Sequence, residues 1–201
     1  MTQCNLKQNT YIEVAYGSLV SIKNQGYNGG LLHSHVQTFP SGSKQQQVTC
    51  YHHRDTNNDW IIKKEHGVDV FGDIVEFVKN GDTIRLLHNQ TGANLHSHRV
   101  VAPITKTDWE VSAYGNDSWA DPNDFWVVEI ESDLRSSNIS ILKAMTTSFR
   151  LRHEIIDCYL RSDRVNLPEW GFKQLEVTCD KKKRKDSYSL WNVEHHVNPK
   201  C

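Results

Sequence analysis

The sequence predicts an all-β fold with pseudo-three-fold internal repetition, and three observations carry the prediction. Leu32-His33-Ser34-His35 returns intact as Leu95-His96-Ser97-His98, and a worn version, Leu160-Arg161-Ser162-Asp163, follows; the starts at 32, 95 and 160 give intervals of 63 and 65 residues. Trp60, Trp126 and Trp191 recur at intervals of 66 and 65 residues. Between these landmarks lie short runs with two-residue alternation, split by Gly, Asn and Pro, which is the grammar of strands and hairpins. A fixed order of landmarks met three times marks a triplicated unit. Strands this short cannot bury a face alone, so three units must close around a shared core. A β-trefoil is the closed form expected, because a three-bladed propeller falls below the usual blade number.

Taken in order, Tyr11 to Val14 reads as a short strand. The first unit, about 16–66, opens with Leu19-Val20-Ser21-Ile22 and turns at Asn24 to Gly30. It continues through the LHSH motif, Phe39-Pro40 and Gln46-Gln47-Val48-Thr49-Cys50-Tyr51, and closes near Trp60. Asn-Gly and Gly-Gly steps of this kind bound tight hairpins. The second unit, about 78–131, repeats the order with Thr83 to Leu86, a turn at Thr91 to Asn94, LHSH, Glu110 to Tyr114 and Phe125 to Val128. The third, about 145–196, gives Ser148 to Leu151, Cys158, the worn motif, Glu176 to Cys179 and Leu190 to Val193. Val48, Val111 and Val177 are expected on one side of the sheet with Cys50, Ala113 and Cys179, while Thr49, Ser112 and Thr178 point the other way. Asp133 to Met145 is the one stretch that admits a helical turn. Insertions swell two units, at Asn116 to Asn123 and at Asp180 to Ser189, the latter with Lys181-Lys182-Lys183-Arg184-Lys185. The whole chain, 1–201, is read as one domain.

Composition excludes several classes. With 37% hydrophobic and 23% charged residues the chain is globular and not disordered. A formal net charge of −1 gives no strong pull on nucleic acid or anionic membrane. No apolar run approaches a bilayer span, and no apolar segment follows Met1 as in a secretory signal. Five scattered cysteines leave room for one or two bridges and at least one unpaired thiol. Cys50 and Cys179 occupy the slot that Ala113 fills, so both are expected as small buried packing residues.

Taken together, LHSH in two copies, Gln46-Gln47-Val48-Thr49-Cys50-Tyr51, Trp170-Gly171-Phe172-Lys173-Gln174 and Trp191-Asn192-Val193-Glu194 resemble the MIR domain of fungal protein O-mannosyltransferases. The resemblance covers roughly Glu13 to Asn198. It implies a luminal β-trefoil hanging between the spans of an endoplasmic reticulum membrane enzyme that transfers mannose from dolichyl phosphate mannose to Ser/Thr. It also implies a parent heterodimer with another mannosyltransferase subunit, and Ser/Thr-rich acceptor proteins or mannosylated glycans as partners. The family's catalytic acids lie in another luminal loop, to which nothing here corresponds. The domain is therefore expected to be non-catalytic, without a cofactor, and cut from a longer chain. A docking module that binds no glycan and a secreted lectin-like protein are the alternatives.

The candidate ligand residues are Leu32, His33, Ser34 and His35, with Leu95, His96, Ser97 and His98. A hydroxyl and neutral imidazoles offer both donors and acceptors, as a polyhydroxyl ligand requires. The competing reading is that the serines and histidines bond turn backbone and hold the hairpin. Four histidine nitrogens on one metal is the weaker idea, because the copies belong to different units and no carboxylate pattern accompanies them. No metal site is expected. Trp60, Trp126 and Trp191, being repeated, are expected as core anchors. Trp109, Trp119 and Trp170 are not repeated and are the better stacking platforms. Glu129 and Glu131 read as an exposed strand face, and the Lys181–Lys185 run as a solvated loop. Asn89, Asn116 and Asn138 head N-glycosylation triplets.

Overall fold

The computed structural model describes residues 12–68, 75–119, 121–135, 137 and 140–199. Every regular element longer than one turn is a β-strand. The first unit holds β1 (Leu19–Asn24), β2 (Leu31–Thr38), β3 (Gln46–Tyr51) and β4 (Trp60–Lys63). The second holds β5 (Thr83–His88), β6 (Asn94–Val101), β7 (Trp109–Tyr114) and β8 (Trp126–Asp133). The third holds β9 (Thr147–His153), β10 (Tyr159–Arg161), β11 (Leu175–Glu176), β12 (Thr178–Asp180) and β13 (Trp191–Val197). Antiparallel pairing runs β3–β7–β6–β5–β8–β9–β13–β1–β2 and returns to β3, so the sheet closes like a barrel. Among the described residues no helix is long and apolar enough to cross a membrane.

The repeat is carried into the register. Leu32 pairs with Cys50, Leu95 with Ala113 and Leu160 with Cys179. Val48, Val111 and Val177 share one buried cluster with residues of all three units. Trp60, Trp126 and Trp191 are fully buried there, and each indole Nε1–H donates at 3.0 Å to the carbonyl of Leu32, Leu95 or Leu160. Burying the largest side chain available while satisfying its one polar atom explains why tryptophan stands at this place three times.

Among the described residues four short 3₁₀ turns interrupt the strands. Three of them precede the tryptophan strands, at Thr56–Asn58, Pro122–Asp124 and Ser187–Ser189. Asp55, Asp121 and Asp186 cap them by accepting the backbone N–H two residues on, at 2.8, 2.9 and 3.0 Å. That bond satisfies a donor with no partner in so short a turn. The expected helical turn in Asp133 to Met145 is not present among the described residues. The stretch instead leaves β8 and returns through single bridges of Ile141 to Lys79 and Lys143 to Glu13. Single bridges, Glu13 to Lys143 and Ala15 to Phe77, stand in place of the expected N-terminal strand; Tyr11 lies outside the described residues.

Two further expectations are corrected. Cys179 is not a lone packing residue: it is bridged to Cys158, the two Cα atoms being 5.3 Å apart. Cys158 closes the turn before β10, a position with a cysteine only in the third unit, which is why the slot equivalence misled. Cys50 stays free and fully buried, and burial pushes its thiol pKa up to about 12. The Lys181–Lys185 run is not merely solvated. Lys181 Nζ lies 3.7 Å from the Trp109 ring centroid, Lys183 pairs with Asp157 at 2.7 Å, and Arg184 bridges Asp180 and Asp108 at 2.9 and 3.1 Å. Besides the adjacent Asp180, acidic groups from two segments remote in sequence, at Asp108 and Asp157, meet that loop.

Gln47, Glu110 and Glu176 occupy equivalent, buried positions, each just before the repeated valine. Each is covered by a loop from another unit. Ser43 of the first unit donates to Glu110. The Ile104 and Thr105 amides of the second donate to Glu176 at 2.8 and 3.0 Å. Gln47 Nε2 donates to the Trp170 carbonyl of the third at 3.3 Å. The three contacts form a ring of reciprocal cover around the axis of the repeat.

Candidate functional site

The LHSH copies sit on β2 and β6, and alternation along the strand sorts their side chains. Leu32 and Leu95 are at 0% exposure and belong to the core, so what they contribute is the carbonyl that receives the indole. Ser34, Ser97 and Ser162 are equally buried and donate across the hairpin to the carbonyls of Gln47, Glu110 and Glu176 at 2.7, 2.8 and 3.0 Å. Neither pair therefore reaches solvent, and the serines act as hairpin staples.

The first histidine of each copy is buried against the capped turn that precedes the tryptophan. His33 Nδ1 lies 3.0 Å from Asn58 Nδ2 and 3.6 Å from Asp55. Burial lowers the His33 pKa from 6.5 to about 4, against the opposing pull of Asp55. His96 Nδ1 lies 2.8 Å from Asp124 Oδ1, and Asp124 Oδ2 lies 3.2 Å from His66 Nε2. Tyr51 and Tyr114 pack on these rings at 5.1 and 5.3 Å, both with an interplanar angle of 54°.

The second histidines, His35 and His98, stand at the surface end of each motif and are half-buried. His98 Nδ1 lies 3.0 Å from His96 Nε2. His35 Nδ1 accepts the Gln37 backbone N–H at 3.2 Å, and the Phe172 ring stands 5.1 Å from it at 84°. Burial lowers the pKa of both, helped at His98 by the neighbouring His96 and opposed at His35 by Asp55.

A second pair of histidines escaped the sequence reading. His88 and His153 face Trp60 and Trp126 across the strands, at ring distances of 4.9 and 4.8 Å. Their Nε2–H groups donate to the carbonyls of Asn57 and Asn123 at 3.1 and 2.9 Å; Asn24 donates to the Tyr188 carbonyl at 2.8 Å in the third unit. These three carbonyls each lie three residues before a repeated tryptophan, a spacing that was available in the sequence. Burial lowers both pKa values, that of His153 to about 4.

The aromatic candidates differ in access. Trp109 packs against the core with the Lys181 ammonium over its ring. Trp170 is half-buried, edge to Phe39 at 6.1 Å. Trp119 is 63% exposed and is the most open of the three. Phe172, unremarked among the candidates, is 59% exposed beside His35, on a backbone with φ of 54° that non-glycine residues seldom adopt. The third unit's loop thus meets the first unit's motif. Glu129 and Glu131 pair with Arg152 and Arg150 across β8 and β9. Among the described residues no group of three or more His, Cys, Asp or Glu is placed to hold a metal ion. Asn89 and Asn116 are exposed in turns, while Asn138 lies outside the described residues.

With this geometry in hand, comparison with known proteins is direct: the family model for the MIR domain matches residues 30–196. The chain belongs to the MIR domain family. Among curated relatives, dolichyl-phosphate-mannose--protein mannosyltransferase 2 of Candida albicans is 47% identical over 189 residues, covering 91% of this chain and 25% of that protein. This MIR chain therefore spans about a quarter of the relative's length. Among solved structures, the S. cerevisiae protein O-mannosyltransferase Pmt1-Pmt2 complex bound to the sugar donor matches with a TM-score of 0.85 at 39% identity, over 93% of this chain and 26% of that one. The SDF2-like protein from Arabidopsis thaliana matches with 0.79 at 31% identity, over 93% of this chain and 97% of that one. At 16% identity, a structure titled as a BEL beta-trefoil shares the fold with a TM-score of 0.53, over 91% and 95%.

Proposed function

We propose that this chain is the MIR β-trefoil of a protein O-mannosyltransferase, which binds acceptor protein or its attached mannose and does not itself catalyse transfer. The parent transfers mannose from dolichyl phosphate mannose to Ser/Thr, pairs with a second mannosyltransferase subunit, and places this domain in the endoplasmic reticulum lumen. The observation that carries the reading is the pair of half-buried histidines, His98 held by the buried His96, and His35 held by the Gln37 N–H beside the Phe172 ring. Preorganised polar groups beside aromatic rings suit a polyhydroxyl ligand.

Other observations support parts of it. The identity to mannosyltransferases supports the parent's activity, and the likeness to the Pmt1-Pmt2 complex supports the paired subunit. The Cys158–Cys179 bridge supports an oxidising compartment, since such bonds are rare in the cytosol. The three-fold register supports the trefoil. Exposed Asn89 and Asn116 are the sites proposed for N-glycosylation there, Asn116 in the turn that its own Oδ1 closes on Ser118 N–H at 2.8 Å.

The test is a titration of mannosides and Ser/Thr-rich peptides against the chain and against His35→Ala and His98→Ala. Binding that weakens in either folded variant upholds the proposal. Absence of binding by the intact chain, or equal binding in both variants, overturns it in favour of a docking module.

A further inference from the structure

The two intact motifs have the same four residues, but the residue two before the following tryptophan differs: Asn58 in the first unit, Asp124 in the second. Asn58 Oδ1 accepts the Asp55 backbone N–H at 2.6 Å, which fixes the amide and turns Nδ2 toward His33 Nδ1 at 3.0 Å. An amide nitrogen only donates, so His33 Nδ1 accepts and the ring proton sits on Nε2. Asp124 does the reverse. An ionised carboxylate only accepts. Its two oxygens therefore take protons from His96 Nδ1 at 2.8 Å and His66 Nε2 at 3.2 Å.

The consequence passes outward. A neutral His96 that donates from Nδ1 to Asp124 has a bare lone pair on Nε2, and His98 Nδ1 at 3.0 Å then donates to it. His98 is left with an accepting Nε2 that makes no hydrogen bond among the described residues. In the first unit His35 Nδ1 accepts from Gln37, so the proton is on Nε2, an atom buried without a partner beside Phe172.

We propose that Asn58 and Asp124 are positioning residues that set opposite tautomers in His33 and His96. Asp124 acts outward through His96 on His98, whereas the Gln37 backbone N–H fixes His35, so the two LHSH copies present opposite hydrogen-bonding polarity. The second unit offers an acceptor, His98 Nε2, to a ligand hydroxyl that donates. The first carries a donor, His35 Nε2–H, under the edge of Phe172, and suits a ligand oxygen that accepts. The two motifs are thus complementary and not duplicate sites. The ligand half of this inference rests on the glycan-binding reading above; the tautomer half does not.

Two-bond ¹H–¹⁵N correlation spectra of the ¹⁵N-histidine-labelled chain at pH 7 read each ring proton directly. Nδ1–H is expected for His96 and His98, and Nε2–H for His33 and His35. In Asp124→Asn, the amide Oδ1 still serves His66 while Nδ2 faces His96, so His96 and His98 both switch to Nε2–H. In Asn58→Asp, His33 alone switches, because Gln37 still holds His35. The same tautomer at His33 and His96 in the unaltered chain, imidazolium signals at His96 or His98, or an unswitched His96 in folded Asp124→Asn would each overturn the proposal. The unaltered chain decides the first two without any variant. Adding methyl α-mannoside is expected to move the His98 signals, with affinity at least tenfold weaker in Asp124→Asn. Tautomers as assigned, with no mannoside response at His35 or His98, would uphold the positioning role and overturn the ligand reading alone.

Discussion

The third unit and the first two share a frame and differ in what the frame holds. All three keep the serine staple and the indole bond to the preceding leucine carbonyl, within narrow limits of distance. At the position of His33 and His96, however, the third unit carries Arg161, which is 2% exposed. Its guanidinium bonds Asp163 twice at 2.8 Å and Asp186 at 2.7 and 3.1 Å. Those carboxylates hold the Arg161 pKa above its ordinary value even though burial works the other way. All three guanidinium nitrogens are engaged, and Asp163, which stands where His35 and His98 stand in the first two units, is held by them, so the third unit has no half-buried imidazole to present. Frame and side-chain chemistry come apart here: the fold keeps its serine and its tryptophan where the histidine pair is lost.

The comparison can be broken most sharply at the tryptophans. Replacing Trp60, Trp126 or Trp191 by Ala is expected to cost about 3–5 kcal/mol in urea denaturation, with similar values in all three units. A much smaller cost at Trp191 would mean that the third unit is not an equal member of the frame. Reduction of Cys158–Cys179 is expected to cost roughly 3 kcal/mol, a loss that no other unit can show. Denaturation midpoints with and without reductant measure it.

Acid next separates the buried histidines from Arg161. The folded pKa values of His33 and His153 fall from 6.5 to about 4, so between those limits the unfolded chain binds more protons than the folded one. Stability therefore drops as pH falls from about 6.5 to about 4, by on the order of 3 kcal/mol for fully buried His153. Arg161 does not titrate in that window, so His153→Asn is expected to flatten the slope while Arg161→Ala leaves it intact. Denaturation curves across the window read this out. Smaller still, Ser97→Ala and Ser162→Ala are each expected to cost about 1 kcal/mol, the worth of one buried hydrogen bond. Unequal losses would show that the staple had acquired a second role in one unit. At the bottom of the scale, Cys50 is expected to resist iodoacetamide at pH 8 in the folded chain, since the buried thiol stays protonated up to about 12.

What the sequence discloses follows from what is periodic. The repeat, the strand grammar and the anchoring tryptophans were legible because each is written three times at one spacing. The aspartates at 55, 121 and 186 were equally periodic, always five residues before the tryptophan, yet short capped turns carry no hydrophobic signal. The partners of single-copy residues could not be read in the same way. Cys158 has no counterpart in the other units, so equivalence placed Cys179 with Cys50 and missed the bridge. The lysine run meets acids from distant segments that only the closed sheet brings together. At the motif itself, strand alternation puts Leu32 and Ser34 on one face and His33 and His35 on the other, but it does not disclose that His33 is buried while His35 is only half-buried. The difference between Asn58 and Asp124 was not legible either, because it acts through the direction of a hydrogen bond and not through shape.

The ring of reciprocal cover over Gln47, Glu110 and Glu176 bears on how this molecule can come apart. In a linear array of repeats an end unit can fray while its neighbours persist. Here each unit shields a buried polar group of another, and there is no end. Losing any one unit strips cover from a second and leaves its own polar group without the third, so partial opening exposes unsatisfied buried groups instead of freeing one module. Melting is expected to be all-or-none, with fluorescence and circular dichroism tracing one transition, even though the sequence is written in three nearly independent sentences.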